Sequence, residues 1–186
     1  MKKFLLWTLA VLFCMLLSAC WSTLSERAEV YHNELVQYAQ PAYLAYNQYS
    51  AFSQETPLEE IDVIKKSRNE TITSIQTALE QLQQLGDFEW EWRLLDAVKH
   101  DVEILLWLME WKETELIAVW EKMKKAEQDK NIDEMDALLT QQATLFLQIN
   151  TAIEESDEIL QEEQKLFLEK YDLPLQQAAL SWEQNS

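Results

Sequence analysis

A single glycine, Gly86, in 186 residues constrains this chain more than any motif in it, and only three prolines accompany it. Average usage is about 7% glycine and 5% proline. Sheet proteins turn tightly through residues at positive φ, where glycine is the default. Phosphate-cradling loops and the glycine-flanked nucleophile turn both need several glycines together, so neither can be built here. The expectation is an all-α chain.

Apolar spacing divides that chain into four helices. Leu24, Ala28, Tyr31, Leu35, Tyr38, Ala42, Ala45, Tyr49 and Phe52 alternate steps of four and three, which predicts a first helix from Ser22 to Ser53. Pro41 falls inside this stripe and predicts a kink rather than a stop. Thr56-Pro57-Leu58-Glu59 reads as a capping box, and Ile61, Ile64, Ile72, Ile75, Leu79 and Leu82 then face inward. Gly86 is expected to close the second helix in the left-handed conformation, with Asp87 capping the third at once. The third helix should run from Phe88 to Gln128 on a stripe of Phe88, Leu95, Val102, Met109, Leu116 and Trp120. Asn131 with Glu134 three residues on predicts the cap of the fourth.

That fourth helix carries two adjacent heptad columns, Leu138-Leu145-Ala152-Ile159-Leu166 and Leu139-Phe146-Ile153-Leu160-Phe167, and should end near Tyr171. Short connections predict an up-down-up-down four-helix bundle with coiled-coil-like heptads. The second hairpin should be longer than the first, overhanging it by roughly 15 Å at about 1.5 Å per residue. The bundle would occupy residues 20–172, and a short tail, 173–186, would fold back through Leu180 and Trp182.

The first twenty residues have another character. Lys2 and Lys3 precede an apolar run from Phe4 to Leu17 that is short for a bilayer span, and the run ends in Leu17-Ser18-Ala19-Cys20. This closely resembles the lipobox of bacterial lipoprotein precursors. An uncleaved membrane anchor with an incidental cysteine is the competing reading. The resemblance implies that Met1 to Ala19 form a cleaved signal peptide and that Cys20 receives a diacylglycerol thioether and further acyl chains such as palmitate. The body would then be lipid-anchored at the cell membrane or outer membrane, facing the periplasm or the exterior. Trp21, directly after the lipid, is the expected membrane-interface residue. In two-membrane bacteria of that family an Asp after the Cys favours the inner membrane, and Trp21 is not that signal.

Loss of the signal removes two lysines and no acids, leaving 15 − 2 = 13 basic and 33 acidic residues, a net charge of −20. Such a surface repels phosphates, which argues against nucleic acid. Cys14 leaves with the signal and Cys20 is consumed by lipid, so the mature body has no thiol for a disulfide, a zinc site or a nucleophile. Glu29-Val30-Tyr31-His32 matches half of the Glu-x-x-His metal pattern of ferritin-like bundles, but the only other histidine, His100, has Ala97 three residues before it. His32 therefore reads as a surface histidine. No catalytic residue, metal ligand or cofactor is expected beyond the covalent lipid.

Five of the eight tryptophans fall between Trp90 and Trp120. His100, Ile104, Trp107 and Trp111 lie opposite the core stripe, with Leu108 at their flank. Two arrangements fit. Helix three lies centrally, covered by the tail, or these residues form an exposed patch for a partner protein or a second copy of the chain. The expected function is a non-enzymatic envelope lipoprotein, an acidic scaffold or partner-binding module. The alternative is a bundle holding a small apolar ligand between Tyr31, Tyr38, Trp92 and Phe146.

Overall fold

The structure, a computed structural model, describes the backbone of residues 2–174 and the side chains of residues 24–174. Its helices are α1 (Lys2–Glu55), α2 (Ile61–Gln84), α3 (Arg93–Trp107), α4 (Glu113–Gln128) and α5 (Ile132–Lys170). A π-helical segment, Leu108–Lys112, joins α3 to α4 without a break, so four helical rods make an all-α bundle. Among the described residues the only β pairing is an isolated bridge between Phe88 and Glu91. Among them, too, no helix is long and apolar enough to cross a membrane. Pro41 lies inside α1, which continues through it.

Cross-helix pairs give the directions of the rods. Arg93–Glu163 and Asp101–Ser156 join α3 to α5 in opposite residue order, and Lys65–Glu121, with Lys124 on Glu59 just ahead of α2, does the same for α2 and α4. α1 follows α3 and α4 in the same order, with Arg27 beside Glu89 and Tyr49 beside Glu113. Leu35, Ile64, Ile75, Leu82, Leu105 and Leu160 are fully buried between the rods. Each such side chain stabilises by about 1.5–3 kcal/mol, whereas an exposed ion pair such as Lys66–Glu70 contributes about 0–1. Apolar packing holds the bundle.

The two columns of α5 exchange roles along its length. Leu138 and Leu145 are buried and Leu139 exposed at its start, while Leu160 and Phe167 are buried and Ile159 and Leu166 exposed at its end. An undistorted helix lags a seven-residue repeat by about 20° per heptad, so over four heptads the inward position passes to the neighbouring column. The expected coiled-coil seam is therefore not kept, and Phe52, expected on the α1 stripe, is likewise exposed while Ser53 is buried.

Helix ends depart further from expectation. Thr56 does not cap α2; its hydroxyl donates to the Phe52 carbonyl at 2.7 Å and closes α1 instead. Gly86 is not at positive φ, and Leu85 leaves α2 in extended conformation. Among the described residues the left-handed positions are Glu89, Trp90, Lys130 and Asp172. At Lys130 and Asp172 paired backbone bonds close α4 and α5, Asn131 N–H reaching the Ala126 carbonyl and Leu173 N–H the Leu168 carbonyl. Satisfying those carbonyls offsets a Cβ cost of about 1–2 kcal/mol. Asn131 does cap α5: its Oδ1 accepts from Glu134 N–H at 3.3 Å and its Nδ2 donates to Glu134 Oε2 at 2.9 Å.

Asp87 does not start the third helix, which begins only at Arg93. Phe88 is drawn into an aromatic cluster, 5.2 Å from Tyr31, 5.9 Å from Phe167 and 5.2 Å from Tyr171 between ring centroids, and the chain reverses in a hairpin around it. At the other end α4 stops four residues past Lys124, which reaches the Glu59 carbonyl. That is an overhang of about 6 Å, shorter than expected. The side chains of Cys20 and Trp21 and the tail from Leu175 through Leu180 and Trp182 lie outside the described residues.

Candidate functional site

The outer face of the α3 rod carries an aromatic ridge. His100 and Trp111 are exposed and Ile104 half-buried, with Trp107 40% and Trp111 62% accessible. Steps of four, three and four put them on one side of the helix. Lys112 Nζ lies 5.7 Å from the Trp107 ring centroid, a cation–π contact that orders one indole while leaving its edge open. Leu108, expected with this group, is fully buried and belongs to the core. It falls one position beyond Trp107, about 100° around the helix from that indole, which turns it in among the other rods.

Behind the ridge the backbone changes pitch. Glu113 N–H donates to the Leu108 carbonyl, five residues back, so the Met109 carbonyl loses the donor an α-helix would give it. Arg68 Nε donates to that carbonyl at 2.8 Å. Glu113, the first residue after the π-helical segment, points inward and is 4% exposed, with Tyr49 OH donating to its Oε2 at 3.0 Å. Burial pushes the Glu113 carboxyl up to about 7, although the Tyr49 hydrogen bond and the Arg68 charge pull the other way. The same burial, with the Glu113 charge, raises the Tyr46 and Tyr49 hydroxyls.

Two more polar groups continue this row along α1. Asp101 is fully buried and accepts from Ser156 Oγ at 2.5 Å, and burial with the Asp101 charge raises the neighbouring Tyr43 hydroxyl. His32, expected at the surface, is fully buried and stacked 6.4 Å from Phe167. Its Nε2 lies 2.9 Å from Gln164 Nε2, and burial, which disfavours the charged ring, lowers its pKa. The row carries acids, a serine, a histidine and tyrosines, with Ser156 Oγ on the Asp101 carboxylate and Tyr49 OH on that of Glu113, all of them buried. Among the described residues no three His, Cys, Asp or Glu side chains gather as a metal site.

These buried polar positions were open to sequence reasoning. Glu113 falls four residues after Met109 and three before Leu116, on the inward stripe, and Gln164 falls four after Leu160. What sequence could not supply was which partners would meet them. The four residues expected around an apolar ligand do not meet. Tyr31 packs in the aromatic cluster beside the α1 base, Trp92 is exposed, Tyr38 is half-buried, and only Phe146 lines a groove. That groove, about 670 Å³, lies at the opposite end between Ser53–Leu58 and the facing surfaces of α4 and α5, with Trp120 and Met123. Compared with family models, with curated proteins and with solved structures, the chain matches none.

Proposed function

We propose that this chain is a non-enzymatic cell-envelope lipoprotein: an acidic helical bundle tethered through Cys20 that docks a protein partner on the α3 ridge. One observation carries the docking reading. Two indoles, Trp107 and Trp111, stand open to solvent on the same helix face as His100 and Ile104. Tryptophan buries a large area at small entropic cost and is enriched at interface hot spots. The leader supports the tether, through the basic start, short apolar run and Leu17-Ser18-Ala19-Cys20. With a body charge of −20, nucleic acid is not the partner proposed.

Crosslinking of the full lipoprotein in its own envelope, wild type beside a Trp107→Ala, Trp111→Ala double variant, tests this reading. A partner or a second copy captured by wild type and lost in a folded variant supports it. Equal capture by both moves the interface elsewhere. A second reading, binding of a small apolar ligand, draws on the groove lined by Trp120, Met123 and Phe146, whose volume suits a small molecule. Lipid retained by the wild-type protein in native mass spectrometry would favour it.

A further inference from the structure

We infer that the Phe88–Glu91 hairpin is a second membrane contact, setting Trp90 and Trp92 into the lipid interface beside the anchor; this rests on the lipid-anchored reading above. Trp90 is 94% exposed and Trp92 55%, the first of them at the tip of a tight turn. Glu91 N–H donates to the Phe88 carbonyl at 2.6 Å and Phe88 N–H to the Glu91 carbonyl at 3.3 Å. Glu89 and Trp90 between them sit at φ 48° and 70°, conformations that usually fall to glycine or asparagine. Such strain persists only where the surroundings impose it. Here the Phe88 cluster imposes it from below, and the Lys170–Glu91 pair and the 2.6 Å Arg27–Glu89 pair impose it from the sides. A bulky indole held rigidly outward at a strained position does nothing for the bundle itself.

The lipid surface is the occupant because of where the turn lies. Arg27 is seven residues after Cys20, which is about 10 Å of helix and at most about 25 Å of extended chain. The hairpin thus stands at the end of the bundle from which the anchor emerges. Indole is favoured at the head-group level. Local charge agrees: Arg27, Arg93 and Lys170, three of the 13 cations in an otherwise acidic body, pair with Glu89, Glu163 and Glu91 around the turn. Those pairs neutralise acids that head groups would repel. With the lipid and two indoles at one end, the bundle stands upright. Tyr49, which meets Glu113 next to Trp111, is 22 residues along α1 from Arg27, so the Trp111 end of the ridge would sit about 33 Å from the surface.

The test uses the full lipoprotein in phosphatidylcholine–phosphatidylethanolamine vesicles. Lipidated Cys20 leaves no reactive thiol, so Trp90→Cys and, separately, Trp111→Cys each take one environment-sensitive fluorophore. Both positions are exposed, and circular dichroism checks that each variant keeps its helicity; Trp92→Cys is the second variant at the turn. The expected result is a blue-shifted emission at positions 90 and 92, quenched by brominated lipid, with position 111 unchanged. Water-like emission at 90 and 92, while wild type takes no label, overturns the inference and leaves the lipid anchor standing. Quenching at 111 as well lays the bundle flat and also overturns it. Labelling of wild type at a free Cys20 overturns the anchor and the inference together.

Discussion

Replacing Glu113 by glutamine should stabilise the bundle above neutral pH and remove most of one pH dependence. Glu113 is 4% exposed, and burial raises its carboxyl from 4.5 to about 7 against the pull of Tyr49 and Arg68. The folded chain therefore keeps a proton that the unfolded chain releases between those two values. Stability from this group is fully present below 4.5, falls as pH rises towards 7, and is flat beyond. At 1.36 kcal/mol per unit, the 2.5-unit difference is about 3 kcal/mol. Glutamine stays neutral throughout and still offers Tyr49 an acceptor. Urea unfolding of residues 21–186 at pH 4 and pH 8 reads the difference between wild type and variant, in which the remaining carboxylates largely cancel. That difference should move by about 3 kcal/mol in favour of Glu113→Gln, or about 2–4 °C in Tm for each kcal/mol. A difference independent of pH would mean that the Glu113 carboxyl titrates alike in the folded and unfolded chains, and one that moves in favour of wild type would mean that it stays ionised beside Arg68; either result refutes the raised carboxyl.

Leu108→Ala should cost about 2–5 kcal/mol because the side chain is fully buried, while Trp111→Ala, 62% exposed, should stay within about 0.5 kcal/mol. Similar losses for the two would refute the assignment of one to the core and the other to the ridge. Lys130→Gly should stabilise by about 0.5–1 kcal/mol, since removing a Cβ at φ 54° relieves about 1–2 and glycine costs about 0.5–1 in backbone entropy. No gain in thermal unfolding would show that the turn after α4 is unstrained. Arg68→Met should lose about 1–3 kcal/mol by leaving the Met109 carbonyl without its donor, and unchanged urea unfolding would mean water takes the place of Arg68.

The helical architecture was legible in Gly86 and in the four-three spacing, because amphipathic periodicity alone decides which face of a helix is buried. Asn131 was legible as a cap because its bonds to Glu134 are local. The second cap failed because Thr56 had two local acceptable partners and took the Phe52 carbonyl. The hairpin at Phe88 was hidden because its cause is tertiary. Tyr31, Phe167 and Tyr171 come from distant parts of the chain, and together they outweigh the cost of left-handed Glu89 and Trp90. The burial of His32 was not legible because its neighbour Gln164 lies 132 residues away. Trp107 and Trp111 were recognisable as unusual, yet their exposure depends on which rods cover α3, and spacing does not carry that information. Leu108 followed the same uncertainty to the other answer.

The proposed function rests on the lipid tether at Cys20, and the intact mass of the protein extracted from its own envelope decides whether it is there. The expected result is a chain beginning at Cys20 and heavier than residues 20–186 by a diacylglyceryl group with any further acyl chain, and a Cys20→Ser variant lacking that addition. A chain that retains Met1 to Ala19, or begins elsewhere with an unmodified cysteine, would contradict it.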